Sequence, residues 1–481
     1  MASAITITHA KKSQSDIRGG AYQRARGPTW PQENERARGT TRRMRAIRIG
    51  LLGCGVVGQG ILRLLREHAG SLERRLGAPI EVRRVVAKTE GKAREAHVPA
   101  ELLSYDAETV LGDPEIDVVV EVIGGLDPAG RYVRTALERG KSVVTANKFL
   151  LAEEGHALFE LAEERGVDLY FEAAVCGGIP VIRVLREALV ADSVVAVRGI
   201  VNGTSNYILS RMQNEKIDYA VALAAAQEAG YAEADPSLDV NGGDATHKLT
   251  ILATLAFGAK LLPSQVTTEG IEHISATDMK MAERFGYVIK LLATARSLPV
   301  GMLDLRVHPA LVPKTSVLAS IHGALNAVYL EGAMLGPSLL SGYGAGAMPT
   351  AMSVVSDLVD VGRNILRDAR GRVPQRTVPS ELLLRREVQP AGMHVSPYYL
   401  RFSVMDRPNV IAKIASVLGA FDIAIHQMIQ EARAAGPRAP VQVVVLTHPT
   451  RDDALRSALR EIQMLSGIVE APRALRIETA A

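Results

Sequence analysis

Between Gly230 and Lys248 the chain reads GYAEADPSLDVNGGDATHK, which sets Glu233, Asp235, Asp239, Asp244 and Lys248 within nineteen residues, among glycines and a proline. The glycine-rich first half can fold over a small ligand, which makes the stretch a candidate for chemistry. Asn241-Gly242-Gly243 reads as the start of a helix that places Asp244 and Lys248 four residues apart on one face. The spacing alone fits an exposed (i, i+4) ion pair equally well, stabilising a helix by roughly 0.2–0.5 kcal/mol.

Other candidate groups stand at expected strand ends. Ser142-Val143-Val144-Thr145 runs into Ala146-Asn147-Lys148, so Lys148 can reach a cofactor or substrate. The next strand, Val167 to Phe171, runs into Glu172 and a glycine turn that ends at Pro180. Glu172 with neighbouring carbonyl oxygens could hold a hard cation, or the segment could be a plain turn before a helix.

These groups need a scaffold, and its first unit is an α/β dinucleotide fold. The apolar strand Ile47 to Leu52 leads into Gly53-Cys54-Gly55-Val56-Val57-Gly58, followed by a helical pattern to His68. In that context Gly53, Gly55 and Gly58 serve a tight turn, close approach of the pyrophosphate and helix–strand packing. The second strand, Glu81 to Ala87, ends on Lys88, where an acid would bind a ribose 2′-hydroxyl. A cation there favours NADP(H) while leaving NAD(H) possible. Strands at Val118 to Val122 and Ser142 to Thr145, with a helix from Pro128 to Arg139 between them, continue the alternation.

Beyond Gly178, Val194 to Val201 reads as a strand, Thr204 as the cap of a helix starting at Ser205, and Leu303 to Val307 and Asn326 to Leu330 as sheet. Pro349-Thr350 begins a helix to Leu366 that returns to the nucleotide unit, and the following Arg- and Pro-bearing stretch reads as a linker. The final stretch has the order βαββαβ, with strands at Tyr398 to Met405, Ile423 to Glu431, Val441 to Thr447 and Ala474 to Ile477 and helices at Val410 to Leu418 and Asp453 to Leu465. It reads as a separate α/β unit.

Composition narrows the function classes. The chain has 481 residues, 47% hydrophobic and 22% charged, with a net charge of +4. Residues 1–45 alone carry ten Lys or Arg against three Asp or Glu, so the remainder sums to −3. The excess basic charge belongs to an N-terminal extension expected to be disordered, and Met44 offers an alternative start just ahead of the first strand. A basic nucleic-acid face is therefore not expected. No apolar run reaches the roughly 18 residues that span a bilayer, so no membrane association is expected. Two cysteines, Cys54 and Cys176, and no paired-histidine motif point to a reducing, cytoplasmic setting without transition-metal chemistry.

Taken together, GLLGCGVVGQG, VVTANK, EAAVCGGIP, GIVNGTSNYIL at Gly199 to Leu209, and the spacing of Ala226, Gly230, Asp235-Pro236, Asp239, Gly242, Asp244 and Lys248 resemble homoserine dehydrogenase with a C-terminal ACT domain. The resemblance covers about residues 46–365 and 398–477. It implies an NAD(P)-binding domain over 46–177 completed by 341–366, a substrate and dimerisation domain over 178–340, a linker over 367–397 and an ACT regulatory domain over 398–477. By resemblance, Glu233 and Asp244 bind the amino acid substrate, with Asp239 the rival of Glu233 for its amine. Lys248 donates the proton, and Lys148 contacts cofactor and assists. Val56, Val57, Gly124, Gly230 and Gly346 match cofactor contacts. A sodium ion is held by the Glu172 carboxylate and the carbonyls of Val175, Gly177 and Ile179.

The implied activity is NAD(P)H-dependent interconversion of L-aspartate 4-semialdehyde and L-homoserine, in a homodimer or homotetramer with threonine as effector. In the ACT turn Asp406-Arg407-Pro408-Asn409, asparagine stands where the family commonly has glycine. Asparagine tolerates positive φ, so the turn can survive. The alternative is a non-catalytic amino acid sensor on a degenerate dehydrogenase scaffold, which would have no use for Lys148 and Lys248 together.

Overall fold

A computed structural model describes residues 45–89, 98–299, 301–431 and 440–478. The N-terminal extension considered above, including Met44, lies outside them.

The first layer is a parallel sheet. Its strands are β1 (Ile47–Leu52), β2 (Ile80–Val86), β3 (Leu103–Ser104), β4 (Val118–Glu121), β5 (Ser142–Thr145) and β6 (Leu169–Tyr170), in the order β3-β2-β1-β4-β5-β6. The helices α1 (Val56–Glu67), α2 (Ala129–Glu138) and α3 (Lys148–Arg165) connect them. β1, β4 and β5 are buried at nearly every position, as their unbroken apolar runs require when helices cover both faces. The strand order reverses between β1 and β4, and at such a switch point a ligand crevice opens at the carboxyl ends of the strands.

The second layer is a larger mixed sheet. It is built from β7 (Val194–Ile200), β8 (Thr267–Thr268), β9 (Tyr287–Ser297), β10 (Leu303–Pro313), β11 (Leu325–Gly332) and β12 (Gly336–Tyr343). Helices α4 (Gly203–Glu215), α5 (Tyr219–Glu228) and α6 (Gly243–Phe257) accompany these strands, and α7 (Ala347–Leu366) returns to pack on α1. The cap of α4 is Asn202, whose side chain accepts from the Ser205 amide at 2.7 Å. Thr204, expected in that role, donates its hydroxyl to the Tyr231 carbonyl instead.

Helix α6 is decisive for the site. Every residue from Asp244 to Leu255 is buried, because α6 lies between α3 on one side and β7, β9 and β10 on the other. From Leu249 on its sequence is mostly apolar with threonines, which suits such a two-sided position, while Asp244, His247 and Lys248 gather in its first turns. Asp244 and Lys248 are both buried, so the exposed ion pair that their spacing allowed is not what forms.

After α7, residues 367–397 pack closely rather than hanging as a tether. Arg376 and Gln375 are buried, Leu384 bridges to Ala259 and Val388 to Leu303. The βαββαβ unit follows as β14 (Tyr398–Met405), α8 (Val410–Ala420), β15 (Ile425–Gln430), β16 (Pro440–Thr447), α9 (Asp452–Gln463) and β18 (Arg473–Ile477), with β13 (Val395–Ser396) just ahead of it pairing with β17 (Thr450–Arg451) between β16 and α9. This unit was expected to be separate, and the structure corrects that. β18 pairs antiparallel with β14 and, through Ala310↔Arg476 and Leu311↔Ile477, parallel with β10. One continuous sheet results, in the order β12-β11-β7-β9-β10-β18-β14-β16-β15. The physical reason is that β18 occupies the backbone donors and acceptors that β10 and β14 would otherwise leave as two open edges.

Candidate active site

The nucleotide end is built by β1 and α1. Gly53 takes φ +112°, and a Cβ there would lie 2.8 Å from the Val122 carbonyl oxygen. A Cβ on Gly58 would overlap the Gly53 carbonyl, whereas Gly55 faces open space. Helix α1 starts at Gly55 with no side-chain cap and no acid in its first turn, and Val56 is largely exposed. Uncapped amides at a helix N-terminus form a ready receptor for a pyrophosphate. Gly346 (φ +121°) precedes α7, whose first turn presses on Gly60 in α1, so the ends of both helices stand side by side. Gly230 ends α5 with φ +75°, and Lys88 is exposed just past β2. The glycine turn and the uncapped start of α1 fit a dinucleotide cradle.

Glu121, at the end of β4, completes that rim. Its carboxylate is fully buried and accepts the amides of Ile123 at 2.7 Å and Gly124 at 3.1 Å and the Thr145 hydroxyl at 2.5 Å. The loop carrying Gly124 and Gly125 is thereby fixed. Asn147 ties the same loop to the next strand end: it donates to the Gly125 carbonyl at 2.7 Å and accepts the Leu150 amide, capping α3.

Lys148 is the first residue of α3 and is directed at α6. Its Nζ lies 2.7 Å from Asp244 Oδ1, and Lys248 Nζ lies 2.7 Å from Asp244 Oδ2. Lys248 also donates to the Val201 carbonyl at 2.7 Å. Burial by itself would raise the Asp244 carboxyl, but the ammonium groups of Lys248 and Lys148 outweigh it and hold the acid well below the carboxylate range. Lys248 is the mirror case: burial favours the neutral amine, Asp244 overrides it, and the ammonium form is secured. The two lysines differ in access. Lys148 is 42% exposed and lines a cavity of about 490 Å³, whereas Lys248 is 9% exposed and sits behind Asp244.

Gly124, Gly125, Asn147, Glu233, Asp239 and His247 share the cavity wall with Lys148 and Asp244. Glu233 is exposed on the rim, and Asp239 is half-buried. Burial raises the Asp239 carboxyl, Asn202 donating to it acts the other way, and Asp244 raises it further. The His247 ring lies 4.7 Å from that of Phe149, and burial pushes its pKa down against the charges of Asp244 and Glu153. Asn202, Asn147, Glu121 and His247 were not singled out from sequence. Asn147 and Asn202 nevertheless lie inside the motifs VVTANK and GIVNGTSNYIL.

The Glu172 turn is closed largely from within. Both carboxylate oxygens accept backbone amides, from Ile182 and Arg183 at 2.8 Å each. The Gly177 carbonyl accepts the Ser353 hydroxyl, and the Ile179 carbonyl accepts the Val181 amide. Asp357 adjoins Glu172 and accepts its backbone amide at 2.8 Å. Burial and the Glu172 charge push Asp357 up to about 8.

The homoserine dehydrogenase family profile matches residues 180–359, and the profile of that family's NAD-binding domain matches 53–172. The chain belongs to the homoserine dehydrogenase family. A homoserine dehydrogenase of Neisseria gonorrhoeae is 40% identical over 436 residues, spanning 91% of this chain and 99% of its own. That of Bacillus subtilis is 37% identical, spanning 90% and 99%. The crystal structure of a homoserine dehydrogenase from Thiobacillus denitrificans superposes with a TM-score of 0.85 at 41% identity, over 91% of this chain and 99% of its own. A hyperthermophilic archaeal homoserine dehydrogenase in complex with NADPH gives a TM-score of 0.57 at 26% identity, over 66% and 97%. The chain is thus an oxidoreductase with a Rossmann-type nucleotide-binding unit. Among the described residues, no helix is long and apolar enough to cross a membrane.

Proposed function

We propose that this chain interconverts L-aspartate 4-semialdehyde and L-homoserine with NADP(H) preferred over NAD(H). The observation that carries the reading is the Lys148–Asp244–Lys248 cluster, two ammonium groups on one buried carboxylate at the wall of a cavity beside the nucleotide loop. The nicotinamide supplies or accepts the hydride. The protein must then steady the alkoxide charge that develops on the substrate oxygen and provide its proton. Lys148 faces the cavity and is placed to touch that oxygen. Lys248, kept protonated by Asp244, delivers the proton to that oxygen when the filled cavity brings it within reach, and Lys148 assists. Glu233 and Asp239 are the receptors for the substrate ammonium. Lys88 would answer a ribose 2′-phosphate.

The finer assignments belong to the same proposal. The nucleotide unit spans 46–177 with 341–366, the substrate and dimerisation unit 178–340, the connecting segment 367–397, and an ACT-type regulatory unit 398–477 that responds to threonine. Its turn is compatible, since Asn409 adopts φ +71° as the missing glycine would. Sodium at the Glu172 carboxylate and the carbonyls of Val175, Gly177 and Ile179 belongs to the same proposal. What supports it is that Glu172 and Asp357 are two buried acids side by side, which a cation would stabilise, although internal hydrogen bonds already engage most of these oxygens. A cytoplasmic homodimer or homotetramer is the expected form.

The test is nicotinamide absorbance during homoserine oxidation with NADP and with NAD, each with and without threonine and sodium. Homoserine-dependent reduction with NADP is expected. No reduction under any condition would leave the non-catalytic sensor as the better reading, and an unchanged rate with threonine would remove the regulatory assignment.

A further inference from the structure

The strand end of β7 ties several groups of the site together. Val201 and Asn202 follow it directly. The Val201 carbonyl accepts from Lys248 Nζ at 2.7 Å and from Asn326 Nδ2 at 2.9 Å. Asn202, 4% exposed, uses all of its side-chain amide: Nδ2 donates to Asp239 Oδ1 at 2.7 Å and to Asp244 Oδ2 at 2.8 Å, and Oδ1 accepts the Ser205 amide. An amide nitrogen has two protons, so each carboxylate receives one. The orientation cannot flip, because the amide oxygen would then face both acids.

We propose that Asn202 is a positioning residue for the reaction. By holding Asp239 and Asp244 on one nitrogen, it separates their tasks: Asp244 stays with the two lysines, and Asp239 keeps its second oxygen for the substrate ammonium. This rests on the homoserine reading given above. It also favours Asp239 over the exposed Glu233 as the principal receptor of the amine, since a half-buried acid fixed by a hydrogen bond loses less freedom on binding. The neutral donor has a clear electrostatic reason. Two carboxylates this close repel, and only Asp244 has lysines on both of its oxygens. Asp239 is faced by Asp244, Lys148 and Lys248, and His247 and Glu233 line the same cavity. Asn202 is the group that donates a hydrogen bond to it directly.

A purely structural role as the cap of α4 makes a different prediction, and Asn202→Ser separates the two. Serine caps a helix about as well as asparagine but cannot donate to both acids. Asn202→Ser is expected to unfold within a few degrees of the native chain and to bind NADP(H) normally. Its kcat/KM for homoserine should fall about 10- to 100-fold, mainly through KM, the range that charge-assisted hydrogen bonds span. The Asn202 donor lowers the Asp239 pKa, so its loss raises that pKa and moves the acid limb of kcat/KM to higher pH. Asn202→Asp keeps the cap oxygen, adds a third carboxylate and should be worse than serine. A serine variant with kcat/KM within twofold of the native chain and an unmoved acid limb overturns the proposal while leaving the homoserine activity standing. A native chain inactive on homoserine removes both.

Discussion

Replacing Asp244 by asparagine changes one charge at the point where the site's electrostatics converge. In the native chain its two oxygens lie 2.7 Å from Lys148 Nζ and Lys248 Nζ. At a charge separation of about 4 Å and an effective dielectric constant near 20, each attraction is worth about 4 kcal/mol before desolvation. Lys148 is 42% exposed and recovers most of its share from water. Lys248 is 9% exposed and does not. Breaking a buried pair from one side costs about 3–5 kcal/mol, and that is the expected destabilisation of Asp244→Asn.

The pH dependence has a definite sign. Asp244 has a depressed folded pKa, so its contribution is present above the unfolded aspartate value near 3.9 and lost as pH falls through the folded value. Lys248 has a raised folded pKa, so its contribution is present below the unfolded lysine value and lost as pH rises through the folded one. At neutral pH both are in force. Without Asp244 the burial of Lys248 loses its chief opposing charge, its pKa falls, and the proton-donating form is lost at lower pH than in the native enzyme. The assay pairs denaturant unfolding with kcat against pH. Turnover should drop by roughly 10²–10⁴, the usual weight of a positioned proton donor. The base limb of the residual activity should move toward acid. The double variant Asp244→Asn with Lys248→Met should regain stability, because removing both partners of a buried pair is far milder than orphaning one. It should regain no turnover. Native-like stability together with a native pH profile in Asp244→Asn would refute the electrostatic account.

Lys148→Met should lower turnover by a similar factor of roughly 10²–10⁴ while changing stability by no more than about 1 kcal/mol, since the side chain is partly solvated. A near-native turnover would reduce Lys148 to a cofactor contact. Gly58→Ala drives a methyl into the Gly53 carbonyl and should weaken NADP(H) binding at least about tenfold, as read by fluorescence titration, consistent with the demand for close helix–strand packing there. Unchanged affinity would remove the glycine loop from the nucleotide site. A chain ending at residue 397 strips β18 from β10 and uncovers apolar surface that Leu475 and Ile477 bury, so it should aggregate on size exclusion or lose several kcal/mol. A monodisperse, fully stable product would show that the continuous sheet is dispensable.

Much of this was legible in residue order. The glycine spacing after β1 could be read because strand, turn and helix are local and the steric demands on Gly53 and Gly58 are met within a few residues. Asp244 and Lys248 were legible as a pair because helix geometry fixes an (i, i+4) relation, and the order βαββαβ followed from the alternation of short apolar runs. What was not legible depends on distant partners. The cap of α4 fell to Asn202 rather than Thr204 because two carboxylates from 37 and 42 residues away hold that amide in place. Asn147 and Glu121 carry no chemistry alone and acquire a role only when β4 and β5 lie side by side.

The sequence by itself determined the nucleotide loop, the helical pairing of Asp244 with Lys248 and the family's motifs. Only the tertiary structure decided whether that pair was exposed or buried. It buried α6 between α3 and the mixed sheet and brought Lys148 from ninety-six residues earlier onto the same carboxylate. It also joined the C-terminal unit to the central sheet through β18. The physical reason is common to these outcomes: burial turns a weak surface attraction into a strong one, and burial is a property of packing between remote segments that local spacing does not encode.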